Sequence, residues 1–118
     1  MGWFSQKSNF PWRQLSNENS IRNLLVESEN RPILIFKHST RCSISSMVLS
    51  RFEREWDKSN EVSLYYLDLL NFRDLSNAIA HELHVVHQSP QVIVIYNKEV
   101  IYHESHNGIN ASELAKLV

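Results

Sequence analysis

With 118 residues, 42% of them hydrophobic and 21% charged, the chain has the length of one domain and enough apolar mass to build its core. Its net charge of −1, with acids and bases interspersed, offers no footprint for nucleic acid or for an anionic membrane surface. The longest apolar runs, Ile33–Phe36 and Val92–Tyr96, fall far short of the roughly 20 residues of a membrane span.

Residues 1–18 read as a polar, irregular N-terminal arm, and residues 19–118 as the domain. The arm is expected to lay some of Trp3, Phe4, Phe10 and Trp12 on the body, with a short strand near Trp12–Leu15. Its first residues, Met1-Gly2-Trp3-Phe4-Ser5-Gln6, begin like a myristoylation signal but put Gln6 where Ser or Thr is required. They also lack the basic-then-apolar order of a secretory leader. A single cysteine, Cys42, cannot form an internal disulfide, which suits a reducing compartment; a cytoplasmic protein is expected.

Ile21, Leu24 and Leu25 have helical spacing, with Asn19 or Ser20 as the cap. Asn30-Arg31-Pro32 should end that helix, because a residue before proline is pushed out of the α region. Ile33-Leu34-Ile35-Phe36 is a continuous apolar run, the pattern of a strand covered on both faces. After the polar turn His38–Ser43, a stripe of Ile44, Met47, Val48, Phe52 and Trp56 predicts an amphipathic helix of about four turns.

Val62–Leu69 predicts a second buried strand, and Leu75, Ala78, Ile79 and Leu83 a third helix. Gln88-Ser89-Pro90 breaks the chain before a third buried strand, Val92–Tyr96. Asn97-Lys98-Glu99 turns it back into a hairpin partner at Val100–Tyr102. Asn110 with Glu113 resembles a capping box ahead of Leu114, Leu117 and Val118. Strands separated by helices predict a parallel sheet, with the last hairpin adding an antiparallel edge. The order of elements fits a thioredoxin-like α/β fold, a central mixed sheet of four to five strands flanked by helices.

The placement of Cys42 carries the chemistry. It follows a buried strand by a short polar loop and opens a helix, whose first amides have no intrahelical partner and favour negative charge. The thiolate, the form that attacks a disulfide sulfur, is therefore expected to be stabilised, with Arg41 adding a positive charge. The alternative is a small buried hydrophobe, a common fate of free cysteines. Against it, Ser39, Thr40, Arg41, Ser43, Ser45 and Ser46 are polar neighbours, and Cys42 lies off the apolar stripe.

The stretch Phe36-Lys37-His38-Ser39-Thr40-Arg41-Cys42-Ser43-Ile44-Ser45 resembles the active-site segment of the monothiol bacilliredoxins of the YtxJ type, which are thioredoxin-fold proteins. The resemblance runs from the first helix to the last and includes Ser89-Pro90 before the third strand. It departs at Arg41, where Thr is usual before the cysteine, and at Ser43, where Pro is usual after it. It implies a thiol–disulfide oxidoreductase that removes bacillithiol, a low-molecular-weight thiol, from S-bacillithiolated client proteins. Cys42 would be the nucleophile and hold bacillithiol as a mixed disulfide. Arg41, Ser43, Ile44 and Ser45 would stabilise the thiolate, Ser45 standing where a Cys-x-x-Cys motif has its second cysteine. Thr40, Ser89 and Pro90 would face the substrate, Pro90 through a cis peptide bond. Bacillithiol is the expected co-substrate, and no metal is expected.

Two rivals come from other classes. Cys42-Ser43-Ile44-Ser45 echoes the Cys-Gly-Phe-Ser of monothiol glutaredoxins that carry iron–sulfur clusters. That group's Thr-Val-Pro and Gly-Gly are absent here, where Gln-Ser-Pro and Tyr-Asn-Lys stand instead. The other rival is a non-catalytic module that binds proteins through its Pro90 edge. Of the weaker signals, His81, His84 and His87 are spaced by three and could ligate zinc, but two of them are expected simply to sit at a helix C-terminus. His103 and His106 read as exposed, His38 as the end of a strand, and Asp68 as a solvated carboxylate beside a loop.

Overall fold

The computed structural model describes residues 10–16, 21–57 and 60–117. Trp3, Phe4, Asn19, Ser20 and Val118, singled out in the sequence, lie outside them. In chain order the elements are β1 (Arg13–Gln14), α1 (Ile21–Glu27), β2 (Ile33–His38), α2 (Ser43–Glu55), β3 (Ser63–Asp68), α3 (Arg73–Leu83), β4 (Gln91–Tyr96), β5 (Glu99–Ser105), a 3-10 turn (His106–Gly108) and α4 (Ala111–Leu117). The five strands form one mixed sheet in the order β1-β3-β2-β4-β5, with helices on both faces.

The pairings β1–β3 and β2–β3 are parallel. In contrast to the expectation of a parallel sheet up to the hairpin, β4 runs antiparallel to β2. The reason lies in residues 84–90. His84 takes a left-handed conformation (φ 57°) that stops α3, and the segment to Pro90 contains no helix or strand. Seven extended residues span up to about 23–25 Å, whereas the 11-residue helix rises only about 16 Å, so the segment can carry the chain back past the helix's length. β4 therefore enters at the end where β2 leaves, pairing Gln91 with Lys37. The β4–β5 turn has two residues, Asn97 and Lys98, both at positive φ (54° and 69°), as a right-twisted hairpin requires.

α1 also ends sooner than Asn30-Arg31-Pro32. Ser28 Oγ donates back to Leu25 O at 2.6 Å while accepting from Lys98 N, and Ser28 O accepts from Asn97 N. These bonds tie the end of α1 to the β4–β5 hairpin, and the amides of Glu29, Asn30 and Arg31 donate to Val26 O and Glu27 O in turns that carry the chain on to Pro32.

Alternation along β2 divides the core. Leu34 and Phe36 face α2 and α4 with Val48, Phe52, Trp56, Leu114 and the arm's Phe10. Ile33 and Ile35 face the other layer with Leu24, Ile79 and the arm's Leu15. The α2 stripe is displaced from its predicted position. Ile44 and Met47 are 49% and 59% exposed, while Ser45 is fully buried with Val48 and Phe52. Spacings of 3, 4 and 4 from Ser45 to Trp56 define the covered face, so a polar residue occupies the core side of the first turn.

Candidate active site

Cys42 is the N-cap of α2, with extended backbone (φ −104°, ψ 119°) and a partly exposed side chain. Its amide donates to Ser39 O at 3.1 Å and its carbonyl accepts from Ser46 N at 3.0 Å, which closes the 39–42 turn and starts the helix. The thiol makes no capping hydrogen bond. The amides of Ser43, Ile44 and Ser45 are first-turn donors with no acceptor inside the helix. A thiolate at an N-cap is placed to receive such donors.

The other residues singled out in the sequence divide by environment. Thr40, Arg41, Ser43 and Ile44 are exposed around Cys42. Ser45 points inward, where its Oγ lies 2.7 Å from His38 Nδ1 and accepts from Ser39 N at 3.2 Å. Its hydroxyl thus ties the first turn of α2 to the end of β2 and to the loop before Cys42. Its proton is free of His38 only when Nδ1 itself carries a hydrogen. His38 is buried, with its ring 5.6 Å from that of Tyr66, and its carbonyl accepts from Leu69 N.

Ser89 and Pro90 stand at the same end of the sheet, because the β2–β4 register pairs Lys37 with Gln91 just beyond them. The Ser89–Pro90 peptide bond is cis, as expected. Asp68 caps the following turn, accepting from Leu70 N at 3.1 Å and Asn71 Nδ2 at 2.7 Å, which agrees with its reading as a loop carboxylate.

Lys37 is the main residue that the sequence reading missed. One position after the apolar run, it remains inside β2 and is fully buried on the α3 side. Its Nζ donates to Ser76 O and to His87 Nδ1, each at 3.3 Å. The signal was present: a strand buried on both faces that runs on into Lys37-His38 must bury one polar head on each side. His87 is consequently turned toward Lys37, and burial, with Lys37 and Arg73 nearby, lowers its pKa. Among the described residues no group of three histidine, cysteine or acidic side chains is arranged to hold a metal.

Burial lowers the Lys37 pKa from 10.5 to about 8. Below pH 8 the ammonium exists in both folded and unfolded chains, and the folded chain bears the cost of burying it. Between 8 and 10.5 the unfolded chain holds a proton that the folded chain has released, so this group makes stability rise with pH. Lys37→Met should therefore stabilise the protein most below pH 8, with the gain shrinking as the pH approaches 10.5. Urea denaturation of both proteins at the two ends of that window checks it; a gain independent of pH would contradict it.

A model of the monothiol bacilliredoxin BrxC family matches residues 13–114. The chain belongs to that family. The match runs from β1 into the first turn of α4, including Cys42 and the turn into β4. Among solved structures, one described as an inferred oxidoreductase with a thioredoxin fold is 32% identical, with 90% of this chain and 92% of that one covered at a TM-score of 0.73. Thioredoxin from Trypanosoma brucei brucei is 17% identical over 92% of each chain, at a TM-score of 0.70. Thioredoxin from Fasciola hepatica is also 17% identical, over 89% of this chain and 94% of that one, at 0.65. The two thioredoxins establish the fold, and it is the thioredoxin-like one. A bacilliredoxin-family chain on this fold, with Cys42 its sole thiol, is a monothiol redox protein. Among the described residues no helix is long and apolar enough to cross a membrane.

Proposed function

We propose that this bacilliredoxin-family protein is a cytoplasmic thiol–disulfide oxidoreductase that removes bacillithiol from S-bacillithiolated proteins. One observation carries the reading: the only sulfur nucleophile of the chain caps a helix at a partly exposed position, with Ser45 where a resolving cysteine would stand. Cys42 thiolate attacks the bacillithiol sulfur, the sulfur–sulfur bond between bacillithiol and the client cysteine breaks, and the client cysteine leaves as a thiolate that takes a proton from water. The Cys42–bacillithiol disulfide then persists, because a hydroxyl at position 45 cannot displace it. A second thiol, free bacillithiol or that of another protein, attacks the bacillithiol sulfur and returns Cys42 as thiolate. Amides of residues 43–45 and the Arg41 charge favour the anion at both ends of the cycle. In this reading Thr40, Ser89 and Pro90 are the substrate-facing positions, although Pro90 is itself buried, and exposed Ile44 and Met47 offer a client an apolar rim.

The choice of bacillithiol over another small thiol rests on family membership. Mass spectrometry of the intact protein after incubation with a bacillithiolated client tests it. A bacillithiol adduct on Cys42, with none from a glutathionylated client, is expected. An adduct from the glutathionylated client alone would overturn the choice of thiol.

A further inference from the structure

Helix α2 carries Cys42 at its start and, in its third turn, a half-buried arginine that the reaction as drawn does not use. Arg51 Nη2 donates to Ile109 O at 3.0 Å and to Asn107 O at 3.5 Å. Both carbonyls belong to the 3-10 turn His106–Gly108 and its C-cap Ile109, and the turn lies against α2. Among the described residues, these are the side-chain hydrogen bonds that join α2 to the chain beyond β4. Val48, Phe52 and Trp56 pack the helix into the core, but apolar contact sets no direction. The arginine does.

The turn itself is firmly fastened. His106 takes a left-handed conformation (φ 55°), uncommon for a residue with a Cβ. Its amide donates to Pro90 O at 3.0 Å, and its carbonyl accepts from Ile109 N at 3.2 Å. Glu104 Oε1 accepts from Ser105 N at 2.9 Å, and a Cβ on Gly108 would come within 2.6 Å of Glu104 Cδ. Arg51 thus links the helix of Cys42 to a turn that is bonded to the residue before β4. His106, Asn107 and Gly108 are exposed. On α2, Ile44, Met47 and Arg51 follow one another at spacings of 3 and 4, so the exposed rim of the helix leads to the turn.

We propose that Arg51 is a positioning residue for protein clients: it holds the turn against α2, so that Ile44, Met47 and the turn form one surface. The inference rests on the exchange reaction proposed above. A client polypeptide is broad enough to touch helix and turn together while its disulfide meets Cys42. A small disulfide reaches the sulfur without the turn. The arginine therefore favours protein clients without touching the reacting atoms, because its planar guanidinium sets where the turn's carbonyls lie.

The full-length protein tests this with a bacillithiolated client and with bis(2-hydroxyethyl) disulfide, a small neutral substrate. The readout is the client's kcat/KM, from release of its thiol, divided by the rate constant for adduct formation on Cys42 by the small disulfide, from intact mass. Arg51→Met is expected to lower this ratio about tenfold, through the client's KM, which is the factor that one hydrogen bond of ordinary strength supplies. Arg51→Lys, which keeps a cationic donor, should recover part of it. An unchanged ratio overturns the inference, and that includes both rates falling together, as a purely structural role requires. A fall carried by kcat alone, or shared in full by Arg51→Lys, overturns it as well. Gly108→Ala disturbs the turn from its other side by displacing Glu104 and should lower the same ratio. If Arg51→Met does not fold, an unchanged ratio in Gly108→Ala overturns the inference in its place. A wild-type protein that forms no adduct on Cys42 with either substrate overturns the exchange reading itself.

Discussion

Cys42→Ser is expected to lower release of the client thiol to the uncatalysed background, whereas Ser45→Ala should retain most of it per folded molecule. The first change removes the only sulfur able to attack. The second removes a hydroxyl whose bonds serve the scaffold: Ser39 N and His38 Nδ1 both lose it as a partner. Leaving buried polar groups unsatisfied costs about 1–3 kcal/mol, so Ser45→Ala should shift the urea midpoint downward while activity persists. Client thiol release and denaturation, measured on the same preparations, separate the two effects. Activity retained by Cys42→Ser would end the proposed mechanism.

Phe52→Ala should produce the largest loss of stability. Phe52 is 1% exposed, with ring centroids of Trp56, Phe36, Trp12 and Phe10 at 5.1, 5.4, 5.8 and 6.3 Å. Its removal leaves a cavity where helix α2, strand β2 and the arm meet. Truncation of a buried phenylalanine costs about 3–5 kcal/mol, a large part of the 5–15 kcal/mol that holds a typical domain together. Equilibrium urea unfolding checks this, and a loss under about 1 kcal/mol would show that the cluster relaxes to fill the space. Because α2 carries Cys42 at its start, the same variant is expected to exchange thiols more slowly.

The fold was legible because its signals were local and strong. Ile33–Phe36 and Val92–Ile95 announce buried strands, and they are the central strand of the sheet and one of its two neighbours. Asn110 was recognised as a cap by its spacing, and its Oδ1 accepts from Glu113 N at 3.1 Å. The position of Cys42 at the start of a helix was equally plain from the chain order. What escaped depends on contacts that periodicity does not encode. Ser45 lies on the covered face because His38 and Ser39 supply partners from outside the helix, so a stripe drawn through apolar residues alone chose Ile44 and Met47 instead. Lys37 was passed over because a lysine normally marks the end of burial; here a carbonyl of α3 and a histidine 50 positions away accept its protons. The antiparallel entry of β4 depends on the reach of residues 84–90, which a count of alternating elements ignores.

The inward bonding of Ser45 bears on how easily a protein of this kind could acquire a second reactive sulfur. On paper, exchanging one oxygen atom for sulfur would turn Cys42-Ser43-Ile44-Ser45 into a dithiol motif. In this fold that oxygen already joins a strand end, a loop amide and a helix turn, and a thiol is a weaker donor and acceptor than the hydroxyl it would replace. Conversion to two-sulfur chemistry would therefore weaken the bonds to His38 and Ser39 that hold the reactive loop on the end of β2.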